Sequence, residues 1–268
     1  MSSVSEEKKD ILLAINGAEE SLQIVIAKRE EQDEPYVLLE SKTLVVPGRS
    51  VNFIIPSIRD SLDLFGYTAA DITRVALAGG PGSFTGLRLV FSAAAGLIAG
   101  NGAQIAAMEY LPILAAGPAA VSNAPVWIVT HSRRMKVYLQ GFNTATDSGT
   151  QNHLTPPLPV SVEEAVEVMK SFKQEKAVVA GSGLIKNKDF FASFFEHNPQ
   201  FSQMDVRFNT PSPIDLLAAA KQAEYSYQMP VPMYLRGSDA EENLESIAAK
   251  SGISLNEAKE RLKHVTPH

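Results

Sequence analysis

Residues 73–100 read "TRVALAGGPGSFTGLRLVFSAAAGLIAG", and this stretch decides the fold. The apolar run up to Ala78 is short and unbroken, the pattern of a strand buried on both faces in a parallel sheet. Gly79, Gly80, Gly82 and Gly86 then make a sharp turn, and a helix is expected from about Thr85 to Ala99. Strand, glycine turn and helix together make an α/β unit.

The turn fits no familiar phosphate or nucleophile motif. A P-loop needs a lysine after its last glycine, but Leu87 follows Gly86. The dinucleotide fingerprint G-x-G-x-x-G is exceeded by one residue, and "GSFTG" misplaces the serine of a nucleophile elbow. The helix behind the turn is more informative. Ser92, Gly96 and Gly100 recur every fourth residue, with Ala93, Ala95 and Ala99 beside them. Glycine inside a helix costs about 0.5–1 kcal/mol relative to alanine, so a packing reason is expected. Either the chain's own sheet or a helix of another chain can approach such a face. The start of the helix is also a place where a carboxylate or phosphate could meet backbone N–H groups.

Working outward, "ILLAINGAEESLQIVIA" reads as two strands, Ile11–Ile15 and Leu22–Ala27, turning at Asn16-Gly17. A third strand is expected from Tyr36 to Val46. Val51, Ile54, Ile55, Ile58, Leu62 and Phe65 then fall at helical spacing, with Gly66 as the stop. After the glycine turn and its helix come a strand at Gln104–Met108 and a helix from Tyr110 to Ala116. The second half repeats this order. "PVWIVTHSRRMKVYLQGF" reads as two strands turning at His131–Arg134, and a third is expected near residues 149–154. A helix from Val162 to Phe172, the buried strand of "KAVVAGSG" and another helix follow. The pattern predicts an α/β protein of two similar lobes with mixed sheets, 1–107 and 108–237, and a helical extension at 238–268. In the extension, Ser254 and Glu257 form a capping-box pattern. Residues 239–268 carry six acids and four bases, which favours a helical pair packed on protein over a DNA-binding one.

The chain has 268 residues, 45% hydrophobic and 20% charged, and is long enough for two lobes with real cores. A formal charge of −6 argues against gripping a nucleic-acid backbone unaided. The absence of cysteine excludes disulfides and thiolate metal sites. "MSSVSEEKKD" lacks the apolar core of a signal peptide, and the apolar stretch Leu89–Ala99 is shorter than the roughly 20 residues a membrane span needs. A cytoplasmic protein without membrane association is expected.

"ALAGGPGSFTGLRLVFSAAAGLIAG" closely resembles the signature of the TsaB (YeaZ) family, of the actin-like, sugar kinase and Hsp70-like ATPase superfamily. The resemblance runs from Ile11 to "PVPMYLR" at 230–236 and implies two RNase H-like lobes. It implies a partner protein: members pair with a TsaD-like catalytic subunit, with a TsaE-like ATPase as third component, and many form homodimers. The complex transfers threonylcarbamoyl to N6 of adenosine 37 in tRNAs that read ANN codons. ATP or ADP is then expected only at an interface with the TsaD-like partner, and tRNA only through the complex.

The resemblance places the interface on the helices at 50–65 and 85–100. Its residues here are Ile54, Ile58, Leu62, Gly82, Ser83, Phe84, Thr85, Gly86, Arg88, Ser92, Gly96 and Gly100. Asn16, Gly82, Ser83 and Arg133 are the positions for a nucleotide or anion contact. Relatives commonly carry an acid at both hairpins, "DTS" and "DAR", where this chain has Asn16 and His131. Of the five histidines only His264 and His268 share metal-ligand spacing, and Pro267 lies between them. Neither a metal site nor catalysis by this chain alone is expected. An independent peptidase or phosphotransferase, and a diverged homodimer outside the pathway, are the competing readings.

Overall fold

The computed structural model describes residues 10–31, 33–143, 152–235, 248 and 254. The chain divides into two units, 1–233 and 234–268. The helical extension expected at 238–268 falls in the second unit and lies outside the described residues, Ala248 and Ser254 excepted.

The first unit holds two five-stranded sheets. The first lobe runs β1 (Asp10–Asn16), β2 (Ser21–Arg29), β3 (Val37–Val45), α1 (Ile54–Asp63), β4 (Ile72–Ala78), α2 (Phe84–Asn101), β5 (Gln104–Met108) and α3 (Tyr110–Val121). The second runs β6 (Val126–Arg133), β7 (Lys136–Phe142), β8 (Leu158–Ser161), α4 (Val162–Ser171), β9 (Ala177–Ala180), α5 (Ser182–Lys186), α6 (Lys188–His197), β10 (Phe201–Gln203) and α7 (Pro213–Gln222). The sheet orders are β3-β2-β1-β4-β5 and β8-β7-β6-β9-β10. In both, three antiparallel strands are followed by two parallel ones, so the lobes share one topology. The expected α/β architecture of two mixed-sheet lobes is what the chain adopts.

Burial on both faces explains why the central strands read as continuous apolar runs. Ile11, Leu13 and Ile15 of β1 face α1 and α2, whereas Leu12 and Ala14 face the other way onto Leu216, Leu217 and Ala220 of α7. In the second lobe Trp127, Val129, Val137 and Leu139 meet Val162, Ala165 and Met169 of α4 and the phenylalanines of α6. The last helix of each lobe crosses over. α3 packs on β6 and β9, α7 packs on the first sheet, and the two helices touch. The second lobe expected at 108–237 therefore does not keep all its residues to itself, since α7 completes the core of the first.

The third strand of the second sheet differs from expectation. Of the stretch near 149–154, residues 149–151 lie outside the described residues, and His153 makes only an isolated bridge to Phe142. The strand is β8, inside the proline-rich segment, with Pro159 opposite Tyr138. Proline is tolerated there because β8 is an edge strand and needs no second ladder.

Candidate functional site at the glycine turn and the outer face of α2

The glycine turn is built around the β1–β2 loop, residues 17–20. A Cβ on Gly82 would overlap the Ala18 backbone, and one on Gly86 would overlap the Gly17 carbonyl oxygen. Gly17 in turn lies against Val90, whose Cγ2 would stand 2.6 Å from a Cβ there. The Ser83 N–H donates to Ala18 O at 2.6 Å, and the Ser83 hydroxyl caps α2 by accepting from Gly86 N–H at 3.2 Å. Gly79 and Gly80 fasten the other side. Gly79 N–H donates to Met108 O, Tyr110 N–H to Gly80 O, and Met233 N–H to Gly79 O. Gly80 has φ +110°, a conformation that favours glycine.

Asn16 sits beneath this loop, 2% exposed. Its Oδ1 accepts from Ala18 N–H at 3.0 Å and its Nδ2 donates to Gln23 Oε1 at 2.8 Å. Gln23 passes the chain on by donating to Pro211 O at 2.9 Å.

The end of the same loop reaches the second lobe. Glu19 Oε2 accepts from the Tyr110 hydroxyl at 2.7 Å, and its Oε1 accepts from the Ser182 hydroxyl. The Ser182 oxygen accepts from His131 N–H at 2.9 Å. Glu20 pairs with Lys186 of α5 at 2.7 Å. Burial pushes the Glu19 carboxyl above its ordinary value, Glu20 adds to this, and hydrogen bonds from Ser182, Tyr110 and the His131 backbone oppose it. Burial and the Lys186 charge push His131 below its ordinary value, against the pull of Glu20.

The outer face of α2 is a different surface. Leu87, Val90, Phe91 and Ala94 are buried on the first sheet. Thr85, Arg88, Ser92, Gly96, Ala99 and Gly100 are exposed on the opposite side. Among the described residues, a Cβ added to Gly96 or Gly100 would find nothing within 4 Å. Beside this face α1 shows Ile55 to solvent, and Val51, Leu64 and Phe65 flank it, also exposed. By length and composition α2 could pass for a membrane span, but its apolar side is the one seated on the sheet.

With the geometry set out, comparison with known families is decisive. The model of TsaD, tRNA N6-adenosine threonylcarbamoyltransferase, matches residues 49–260. The chain belongs to this family. Among solved structures, a Pseudomonas aeruginosa protein described as similar to peptidase YeaZ superposes with TM-score 0.63 at 21% identity, covering 85% of this chain and 100% of its own. YeaZ from Pseudomonas aeruginosa gives TM-score 0.61 at 22% identity, covering 84% and 100%. At these identities the likeness establishes a shared fold, as the TsaB (YeaZ) signature led one to expect. No curated protein sequence gives a significant match.

Within this TsaD-family fold several site expectations need correction. Ile54, Ile58 and Leu62 do not face outward: they are 2%, 2% and 1% exposed and belong to the core under the first sheet. Helical spacing groups them on one face, and the chain's own sheet takes that face. Gly82, Ser83 and Gly86 are engaged by the β1–β2 loop, and the Ser83 and Gly86 N–H groups are taken up within the chain. Asn16 is buried and bonded to Gln23 and Ala18. The turn expected at Asn16-Gly17 is the loop 17–20: Asn16 still belongs to β1, and Gly17 is needed for close approach.

Other positions lie where a contact is feasible. Thr85, Arg88, Ser92, Gly96 and Gly100 share the outer face of α2, with partly buried Phe84 at its start. The Arg88 guanidinium lies 4.0 Å from the centre of the Phe84 ring. Arg133 ends β6 beside the second hairpin turn, away from Asn16 in sequence and half-buried. Glu19 and Glu20 were missed altogether. Their signal was present in "INGAEES", two acids just past Asn16, but their partners lie far off: Tyr110 at 91 residues, Ser182 at 163 and Lys186 at 166.

Proposed function

We propose that this chain is a non-catalytic, TsaB-like subunit of the cytoplasm that pairs with a TsaD-like catalytic subunit. In that role it supports transfer of threonylcarbamoyl to N6 of adenosine 37 in ANN-reading tRNAs. A TsaE-like ATPase is the third component, ATP or ADP binds only at the joint interface, and tRNA is met only through the complex. The reading is carried by the outer face of α2, where Ser92, Gly96 and Gly100 stand exposed with open space above the glycines. Glycines that meet nothing among the described residues are explained by a partner backbone that comes close. Membership of the TsaD family and a YeaZ-type fold support the same pathway.

A homodimer through the same face is the second reading, because a small-residue stripe can be self-complementary. Co-purification from the native cell, followed by nucleoside analysis of tRNA after depletion, tests the proposal. Recovery of a TsaD-like protein and loss of threonylcarbamoyladenosine are expected. No such association, with modification unchanged, would overturn it.

A further inference from the structure

The β1–β2 loop is fixed to the first lobe at four points, which makes its contacts with the second lobe unusual. Asn16 Oδ1 holds Ala18 N–H, Ser83 N–H holds Ala18 O, Gly86 gives room to Gly17 O, and Val46 N–H holds Glu20 O at 3.2 Å. A loop so fastened cannot follow the second lobe if that lobe moves. Yet its two carboxylates, side by side in sequence, grip that lobe. Glu19 takes the hydroxyl of Ser182 at the start of α5, and Glu20 takes the Lys186 ammonium at its end. Tyr110, at the start of the helix that joins the lobes, supplies the second oxygen's partner.

From this geometry we infer that Glu19 is an interlobe latch: its carboxylate, held by Tyr110 and Ser182, fixes the second lobe against the β1–β2 loop of the first. Glu20 and Lys186 form the outer, more exposed half of the same clasp, with side chains 57% and 40% exposed. An exposed pair of this kind contributes little, so Glu19 carries the latch. Its hydrogen bonds to Tyr110 and Ser182 are part-buried, and a group left unpaired in such a place is costly. Ser182 completes the grip by accepting from His131 N–H, so α5 and the β6–β7 turn are held together at one point. The latch rests on contacts within this chain and stands whether or not the partner proposed above is the right one.

Hydrogen exchange followed by mass spectrometry on the full chain tests it, with Glu19→Ala, Glu20→Ala, Ser182→Ala and the Glu19→Ala/Ser182→Ala pair. Glu19→Ala is expected to speed exchange at residues 131–135 and 182–187 by about tenfold, the effect of losing a part-buried hydrogen bond. Exchange in β1, β4 and β9 stays unchanged, and Glu20→Ala has a small effect. The double variant is expected to fall short of the sum of the two single variants, because they share the Glu19–Ser182 contact. Should Glu19→Ala fail to fold, Ser182→Ala alone is expected to give the same local rise. Unchanged exchange at 182–187 in both single variants, a rise spread evenly over both sheets, or additive effects in the pair would overturn the latch.

Discussion

Gly86, in the first turn of α2, lies against the carbonyl oxygen of Gly17, and a single added methyl group would overlap it. Gly96 and Gly100, ten and fourteen residues further along the same helix, meet nothing. The glycines of one signature thus serve two purposes, and substitution separates them. Gly86→Ala and Gly82→Ala are expected to lower stability by about 1–3 kcal/mol through overpacking. Gly96→Ala and Gly100→Ala are expected to raise it by about 0.5–1 kcal/mol, the helix preference of alanine over glycine. Urea unfolding of the isolated chain reads both signs.

The buried pair Asn16 and Gln23 ties β1, β2 and the segment before α7 together. Asn16→Ala leaves Ala18 N–H and Gln23 Oε1 without their partner, a cost of about 1–3 kcal/mol for a buried unsatisfied group. Thermal unfolding of the variant checks this. No change in midpoint would mean that the network contributes nothing.

Asp10 sets an acid limit on stability. Burial pushes its carboxyl up, but hydrogen bonds from Thr73 and Tyr36, the Arg74 charge and Arg29 hold it below its ordinary value overall. A carboxyl depressed in the folded state stabilises above its unfolded pKa, about 3.9, and loses that stability as pH falls through the folded value. Asp10→Asn is therefore expected to flatten the acid limb below about pH 4 in urea unfolding measured against pH.

His131 acts in a higher window. Burial and Lys186 hold its imidazole below the ordinary value, so the folded state favours the neutral ring. The unfolded chain takes up the proton first, and stability falls as pH drops from about 6.5 towards the folded value. Glu19 works in the opposite sense. Its raised carboxyl favours the folded state progressively as pH falls through that value, until the unfolded chain is protonated too. His131→Gln is expected to remove the slope near pH 6 while leaving the Asp10 limb in place. An unchanged slope would show that another group titrates there.

Much of the fold is legible in the sequence, and the reasons are local. Strands such as Ile11–Ile15 and Val75–Ala78 are buried on both faces, so their composition alone marks them. The spacing of Ile54, Ile58 and Leu62 shows that they share a face, but spacing cannot say what covers that face, and their own sheet does. β8 is hidden because Pro156, Pro157 and Pro159 read as breakers, and only its place at the sheet edge makes it a strand. The meaning of Gly82 and Gly86 depends on a loop more than sixty residues earlier, and that of Glu19 on a serine 163 residues later. Such relations belong to the packing of distant segments, which no local pattern carries.

The outer face of α2 as a docking surface is tested most directly by Gly96→Trp. Among the described residues nothing lies within 4 Å of a Cβ built on Gly96, so the variant is expected to fold with an unchanged unfolding midpoint. Light scattering with size-exclusion chromatography, on the purified chain alone and mixed with the TsaD-like protein, gives the answer. The expected result is a complex formed by the native chain and lost in Gly96→Trp. A Gly96→Trp variant that assembles as tightly as the native chain would contradict the assignment of this face.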